Sequence, residues 1–188
     1  MRDLITSILV VLAMTIILGI AYPLAVSGIA QTLFPMHANG SLIRNAKGEV
    51  IGSELIGQNF TSPAYFHGRL SAAGNGYDAA ASGGSNLGPT SEKLIKRVMA
   101  DAASTGSDNP GVPIPADLVT TSASGLDPHI SPAAADFQVP RVARSRGLAE
   151  STVRAIVERF TEGRQLGLLG EPRVNVLLLN IELDRIRN

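Results

Sequence analysis

Between Asp3 and Arg44 the chain carries forty consecutive residues without an Asp, Glu, Lys or Arg, and residues 4–24 are almost wholly apolar. Such a run is costly to leave in water and too long for an ordinary core element. At a rise of about 1.5 Å per residue, a helix over residues 4–24 reaches about 31 Å, close to the hydrocarbon thickness of a bilayer. The pattern predicts a single transmembrane helix. Thr6, Ser7 and Thr15 can return their hydroxyls to carbonyls of their own helix, and Gly19, Tyr22 and Pro23 are expected at the far interface. A cleaved signal peptide is the competing reading, because Arg2 opens the segment and Ala25-Val26-Ser27 offers small residues to a peptidase. Secretory apolar regions usually run about 7–15 residues, whereas this one is longer and continues uncharged past Phe34, which favours a retained anchor. Arg2 and the terminal amine are the positive charges ahead of the span, so the expected orientation has the N-terminus cytoplasmic and the remainder extracytoplasmic.

The expected organisation is an anchor with its exit over residues 1–34 and one α+β domain over residues 35–188, long enough to bury a core. Sixteen Lys and Arg balance sixteen Asp and Glu, so no net field draws the chain to nucleic acid. With no cysteine, disulfides, thiolate metal sites and cysteine nucleophiles are excluded. The absence of Trp and the scarcity of other aromatic residues argue against base-stacking platforms.

Two short strands, Ser41-Leu42-Ile43 and Val50-Ile51-Gly52, flank a polar stretch in which Lys47-Gly48 reads as a hairpin turn. Residues 70–89 hold one charge, Asp78, among Ala, Gly, Ser and Asn, and read as a loop. Ser91-Glu92 supplies a helix start, and Leu94, Ile95, Val98 and Met99 fall on one face that is expected to be buried, with the helix ending near Gly106. Residues 117–121 read as a short strand. Ser131-Pro132 has the order of an N-cap followed by a first-turn proline; Pro140 is expected to open a further helix that stops at Gly147. An amphipathic helix over residues 150–162 places Val153, Ile156, Val157 and Phe160 inward. The continuous apolar run over residues 173–183 is read as a central strand.

Enzymatic signatures are missing. No glycine-lysine phosphate loop exists, and His37, His67 and His129 have no metal-ligand spacing. Ser85, Asp127 and His129 can be drawn as a triad, yet Gly83-Gly84-Ser85-Asn86-Leu87 lacks the G-x-S-x-G elbow. The glycines around Ser85 permit a loop that lies flat against a neighbour. Arg141, Arg144 and Arg146 read as a basic helix face, either solvated and paired with Asp136 or Glu150 or available to another subunit.

Several blocks, in order and spacing, resemble the C subunits of Kdp potassium-transporting P-type ATPases. They are Tyr22-Pro23-Leu24, Ala38-Asn39-Gly40-Ser41-Leu42-Ile43, Leu55-Ile56-Gly57-Gln58-Asn59-Phe60, Tyr65-Phe66-His67-Gly68-Arg69, Ala81-Ser82-Gly83-Gly84-Ser85-Asn86-Leu87, Ser122-Ala123-Ser124-Gly125-Leu126-Asp127, Gln138-Val139-Pro140-Arg141-Val142-Ala143 and Val174-Asn175-Val176. Leu70 departs from the pattern, which has proline after the arginine. The resemblance implies a subunit of the bacterial inner membrane that accompanies a potassium-conducting subunit (KdpA), an ATP-hydrolysing subunit (KdpB) and a small subunit (KdpF). It implies a catalytic chaperone, without a hydrolytic site of its own, that promotes ATP use by the hydrolysing subunit. Gln138 is the implied nucleotide contact; ATP is then a direct or indirect ligand, and no firmly bound cofactor is expected. Ser82, Gly83, Gly84, Ser85, Asn86, Arg141 and Arg144 are the expected partner-contact residues. The alternative is a stand-alone, membrane-anchored periplasmic binding module or hydrolase.

Overall fold

The computed structural model describes residues 1–186. They fall into two compact units that divide after Ile51, and each is taken by itself.

The first unit is dominated by one long helix. Helix α1 (Arg2–Ile16) passes through a π-helical turn (Ile17–Ala21) into α2 (Tyr22–Leu33). The 32 residues exceed what a bilayer core requires, and none is buried by protein. Thr6 and Ser7 hydroxyls donate to the Arg2 and Asp3 carbonyls at 3.0 and 2.8 Å, so neither brings an unmet polar group into the apolar surface. Pro23 lies inside the continuous helical run rather than at either end of it. In an α-helix its ring would clash with the Gly19 carbonyl, and its missing N–H would break the ladder. The π turn absorbs this: the Tyr22 N–H donates to Ile17, five residues back, and the widened turn carries the chain past the proline. A one-turn helix α3 (Pro35–Ala38) follows. The hairpin of β1 (Leu42–Arg44) and β2 (Val50–Ser53) then turns at Gly48, which has φ +83°. Asn45 Oδ1 accepts from the Lys47 and Glu49 N–H groups at 2.9 and 3.0 Å and so holds the turn.

In the second unit, residues 54–91 are largely irregular, apart from a 3-10 turn (Ala79–Ala81). Helix α4 (Glu92–Gly106) is capped by Ser91, whose Oγ accepts from the Leu94 N–H. Its apolar face is not buried as expected. Leu94 and Val98 are half-covered, while Ile95 and Met99 are exposed. Residues 117–121 form no strand; a 3-10 turn (Ala116–Leu118) stands there, and Thr121 makes an isolated bridge to Leu70. Strand β3 (His129–Ile130) leads into α5 (Pro132–Arg146), capped by Ser131 and stopped by left-handed Gly147. Pro140 opens no new helix, because it lies inside α5. A proline can sit there if the carbonyls around it find other donors, and Asn109 Nδ2 reaches the Phe137 carbonyl at 3.2 Å.

Helix α6 (Glu150–Arg159) packs on α5 through Val153, Ile156 and Val157, and ends at Phe160 rather than running on to Glu162. Strand β4 (Thr161–Glu162) replaces its expected last turn. The run read as a long strand divides in two: β5 (Arg173–Asn175) is the middle strand of an antiparallel sheet ordered β3-β5-β4, and α7 (Val176–Ile186) follows at once. Asn175 makes the switch. Its Oδ1 accepts from the Leu178 N–H at 3.2 Å and its Nδ2 donates to the Glu54 carbonyl at 2.8 Å, capping the helix and tying it to an outer loop. Val176, Leu179, Asn180 and Leu183 then share one buried helical stripe. Phe66, Phe137, Val139, Val142, Val153, Val174, Leu179 and Leu183 make the centre of the core. The chain is α+β, with one apolar N-terminal helix long enough to cross a membrane, followed by a mixed helix and sheet domain.

Candidate functional site

Residues 63–69 form a turn followed by irregular chain that joins no sheet, so most of their main-chain groups need partners from elsewhere. Side chains supply them. Arg141 donates to the Pro63 and Tyr65 carbonyls at 2.7 and 3.0 Å, and Arg146 Nε to the Ala64 carbonyl at 2.6 Å. Asn180 treats Phe66 as a neighbouring strand would, with Oδ1 accepting from its N–H at 2.8 Å and Nδ2 donating to its carbonyl at 3.0 Å. Gln138 does the same for His67, at 2.8 and 3.1 Å. Beyond Gly68, the Tyr77 hydroxyl closes on the Arg69 carbonyl. Two amides and two guanidiniums on a pair of helices thus hold the Tyr65-Phe66-His67-Gly68-Arg69 block, and Phe66 is driven fully into the core.

Gln138 is 2% exposed and has no unmet group. Its Oε1 also accepts from Arg141 NH2 at 2.7 Å, and its Nε2 also donates to the Ala134 carbonyl at 3.2 Å. Arg141 is buried beside it, with Asp108 Oδ2 at 2.9 Å from its Nε. Burial lowers the Arg141 pKa from its ordinary value, and the Asp108 charge opposes the shift. Arg146 donates to the Leu183 carbonyl and to Asp184 at 3.0 and 2.9 Å, and its guanidinium lies 4.8 Å from the centre of the Tyr65 ring. Tyr65 in turn donates to Asp184 at 2.9 Å; that bond, with burial, raises its pKa. The His67 imidazole is pushed down, first by burial and then by the Arg141 charge, while its Nε2 reaches the Ser62 carbonyl at 3.0 Å. Of the expected basic face, Arg144 is exposed, whereas Arg141 and Arg146 turn inward; Arg154 is the residue that pairs with Asp136 and Glu150.

The Ser82-Gly83-Gly84-Ser85-Asn86 loop lies flat on residues 122–125. Ser82 Oγ and the Gly83 N–H both donate to the Ser124 carbonyl, at 2.9 and 2.8 Å, and a Cβ on Gly84 would stand 2.9 Å from the Ala123 carbonyl oxygen. Gly125, at φ +70°, makes the matching approach from the other side. Ser85 is half-buried and Asn86 exposed. Nearby, Asp127 meets Arg69 at 3.3 Å and accepts from the His129 N–H at 3.0 Å. Burial alone would raise the Asp127 carboxyl, but the His129 hydrogen bonds and the Arg69 charge outweigh it and hold the pKa below the usual value. Arg69, Asp127 and His129 also line an open cleft of about 440 Å³ with Asp117, Glu171 and Arg173. Its charges are mixed and mostly paired, and among the described residues no group of three His, Asp or Glu is arranged to hold a metal ion. Sequence reasoning missed Asn180, Asp108 and Tyr77. Asn180 had a legible signal, a lone amide inside an apolar run.

The chain thus joins one apolar helix long enough to cross a membrane to an α+β domain in which two helices are bound through their side chains to a single segment of irregular chain. Residues 4–185 match the family described as KdpC, the c chain of K+-transporting ATPases, and the chain belongs to that family. It is 58% identical over 183 residues to the potassium-transporting ATPase KdpC subunit of Koribacter versatilis, covering 97% of this chain and 94% of the relative. It is 62% identical over 170 residues to the KdpC subunit of Caulobacter vibrioides, covering 90% and 86% of the two chains, and 59% identical over 172 residues to that of Myxococcus xanthus, covering 90% and 82%. The potassium-transport role, as one subunit of a larger ATPase, follows from that membership.

Proposed function

We propose that this chain is the non-catalytic subunit of a high-affinity, ATP-driven potassium uptake complex. It is held by one inner-membrane helix with the N-terminus cytoplasmic and the domain outside, and it works beside potassium-conducting (KdpA), ATP-hydrolysing (KdpB) and small (KdpF) subunits. The observation that carries this reading is the state of Gln138. Every donor and acceptor of its amide is engaged within the domain, and a nucleotide could reach it only by breaking bonds that hold the Tyr65-Phe66-His67-Gly68-Arg69 block. Gln138 therefore acts on ATP use indirectly, by fixing the shape of the surface that meets the partner subunits. Within the expected contact set, Ser82, Asn86 and Arg144 are exposed and Ser85 is half-buried, so these four side chains are open to a partner, whereas Gly83, Gly84 and Arg141 shape the surface from beneath. A reporter at the C-terminus of the full chain tests the arrangement when combined with the ATPase activity of the purified complex and of the chain alone. A protected, extracytoplasmic reporter is expected, with potassium-stimulated hydrolysis by the complex and none by the chain. A cytoplasmic reporter would overturn the orientation. Hydrolysis by the chain alone, lost in His129→Ala, would support a stand-alone hydrolase instead.

A further inference from the structure

Between β4 and β5, residues 163–172 close a hairpin whose tip is apolar and outward. Leu166, Leu168 and Leu169 are 91%, 80% and 61% exposed. The tip is rigidly built all the same. Gln165 and Leu169 exchange both main-chain hydrogen bonds at 2.9 Å, the Gly167 N–H donates to the Arg164 carbonyl at 3.1 Å, and the Leu168 N–H to the Gln165 carbonyl at 3.1 Å. Arg164 grips both oxygens of Glu171 at 2.8 Å, and one step further down Arg173 pairs with Glu162 at 2.9 Å. Leu166 sits at φ +54°, a left-handed conformation that disfavours leucine and that no apolar burial among the described residues repays, since the side chain is 91% exposed.

We propose that this leucine-tipped hairpin is a docking prong that inserts into an apolar recess on the extramembrane surface of another subunit of the same ATPase. The inference rests on the accessory-subunit reading above. Three features select a protein recess. The charges at the base, Arg164, Glu171, Arg173 and Glu162, cancel in pairs, so nothing there attracts an anionic lipid surface. The hairpin bears no Trp, Tyr or Lys of the kind that anchors a loop at a bilayer interface. An apolar centre ringed by paired polar groups, already fixed in shape, is the build of an interface hot spot, and its rigidity lowers the ordering cost of docking.

The test uses the full chain co-expressed with the other subunits, purified through a tag on the ATP-hydrolysing subunit, with the retained amount of this chain measured. The unmodified chain is compared with Leu166→Asp/Leu168→Asp and with Leu166→Gly. Retention is expected to fall about tenfold or more in the double variant and measurably in Leu166→Gly. Because glycine accepts the left-handed backbone, Leu166→Gly is expected to leave the thermal midpoint of the purified chain unchanged or raised, which separates lost docking from lost folding. Full retention of both variants would overturn the proposal. So would retention that is unchanged in the complex while binding to zwitterionic liposomes, or self-association of the chain, is lost, because the leucines would then meet lipid or a second copy. Failure of the unmodified chain to be retained at all would instead remove the accessory-subunit reading on which the proposal stands.

Discussion

At the scale of single residues, the domain is organised by side chains that imitate a β-strand. Asn180 and Gln138 each offer one donor and one acceptor to the main chain of consecutive residues, Phe66 and His67, which have no strand beside them. Removing such a partner is costly because the groups it served stay buried. Gln138→Ala is expected to destabilise the chain by roughly 2–4 kcal/mol, by leaving the His67 N–H and carbonyl and one arm of Arg141 unmet. The thermal midpoint of the full chain in detergent, followed by circular dichroism, checks this. A loss of apparent ATP affinity in the complex with an unchanged midpoint would count for direct nucleotide contact. The Gln138-Val139-Pro140-Arg141 block was legible as a motif, but its role was not. A polar residue in a sequence is equally suited to a ligand and to a neighbouring peptide group, and only the path of residues 63–69 decides between them.

At the scale of elements, several helix caps and glycine turns followed from local chemistry, whereas the apolar run over residues 173–183, the internal Pro140 and the face of α4 depended on distant neighbours. Ser91 and Ser131 cap the helices they were expected to start, Gly147 ends α5, and the Gly48 turn closes its hairpin. Residues 173–183 misled because a fully buried helix and a fully buried strand present the same unbroken apolar run. The two differ in which residues share a face. In α7, Leu179 and Leu183 are buried with Val176, while Ile181 is only half-covered. Leu179→Ala is expected to cost about 2–5 kcal/mol and Ile181→Ala under about 1.5 kcal/mol, whereas a strand would have put Leu179 and Ile181 on one face with similar costs. Denaturant midpoints of the two variants measure the difference. The face of α4 shows the converse error: Ile95 and Met99 have the spacing of buried residues, but nothing among the described residues covers them.

At the scale of the whole molecule, stability should depend on pH through groups that folding holds in one charge state. The folded domain keeps His67 below its ordinary value of 6.5, so the unfolded chain binds its proton first; the contribution is complete above that pH and falls as the pH drops through the folded value. Asp127 is likewise depressed, from 3.8, and its contribution disappears only on further acidification. A thermal midpoint that is level above about pH 7 and declines in two successive acid steps is expected, with the upper step missing in His67→Phe. A midpoint unchanged between pH 7 and pH 5 would contradict the His67 environment.

Taken alone, the amino-acid order determined that the chain has an apolar helix of membrane-spanning length, an α+β domain behind it, and its helix caps and glycine turns, because these depend on residues within a few positions of one another. Its ordered blocks also determined the family. The tertiary structure decided where α5 runs unbroken past Pro140, where β5 turns into α7, that Gln138 faces inward and that Leu166 faces outward. Those outcomes depend on which distant segment arrives beside each residue, and a buried amide, a bare helix face or an exposed leucine has no local signature of the neighbour it meets or lacks.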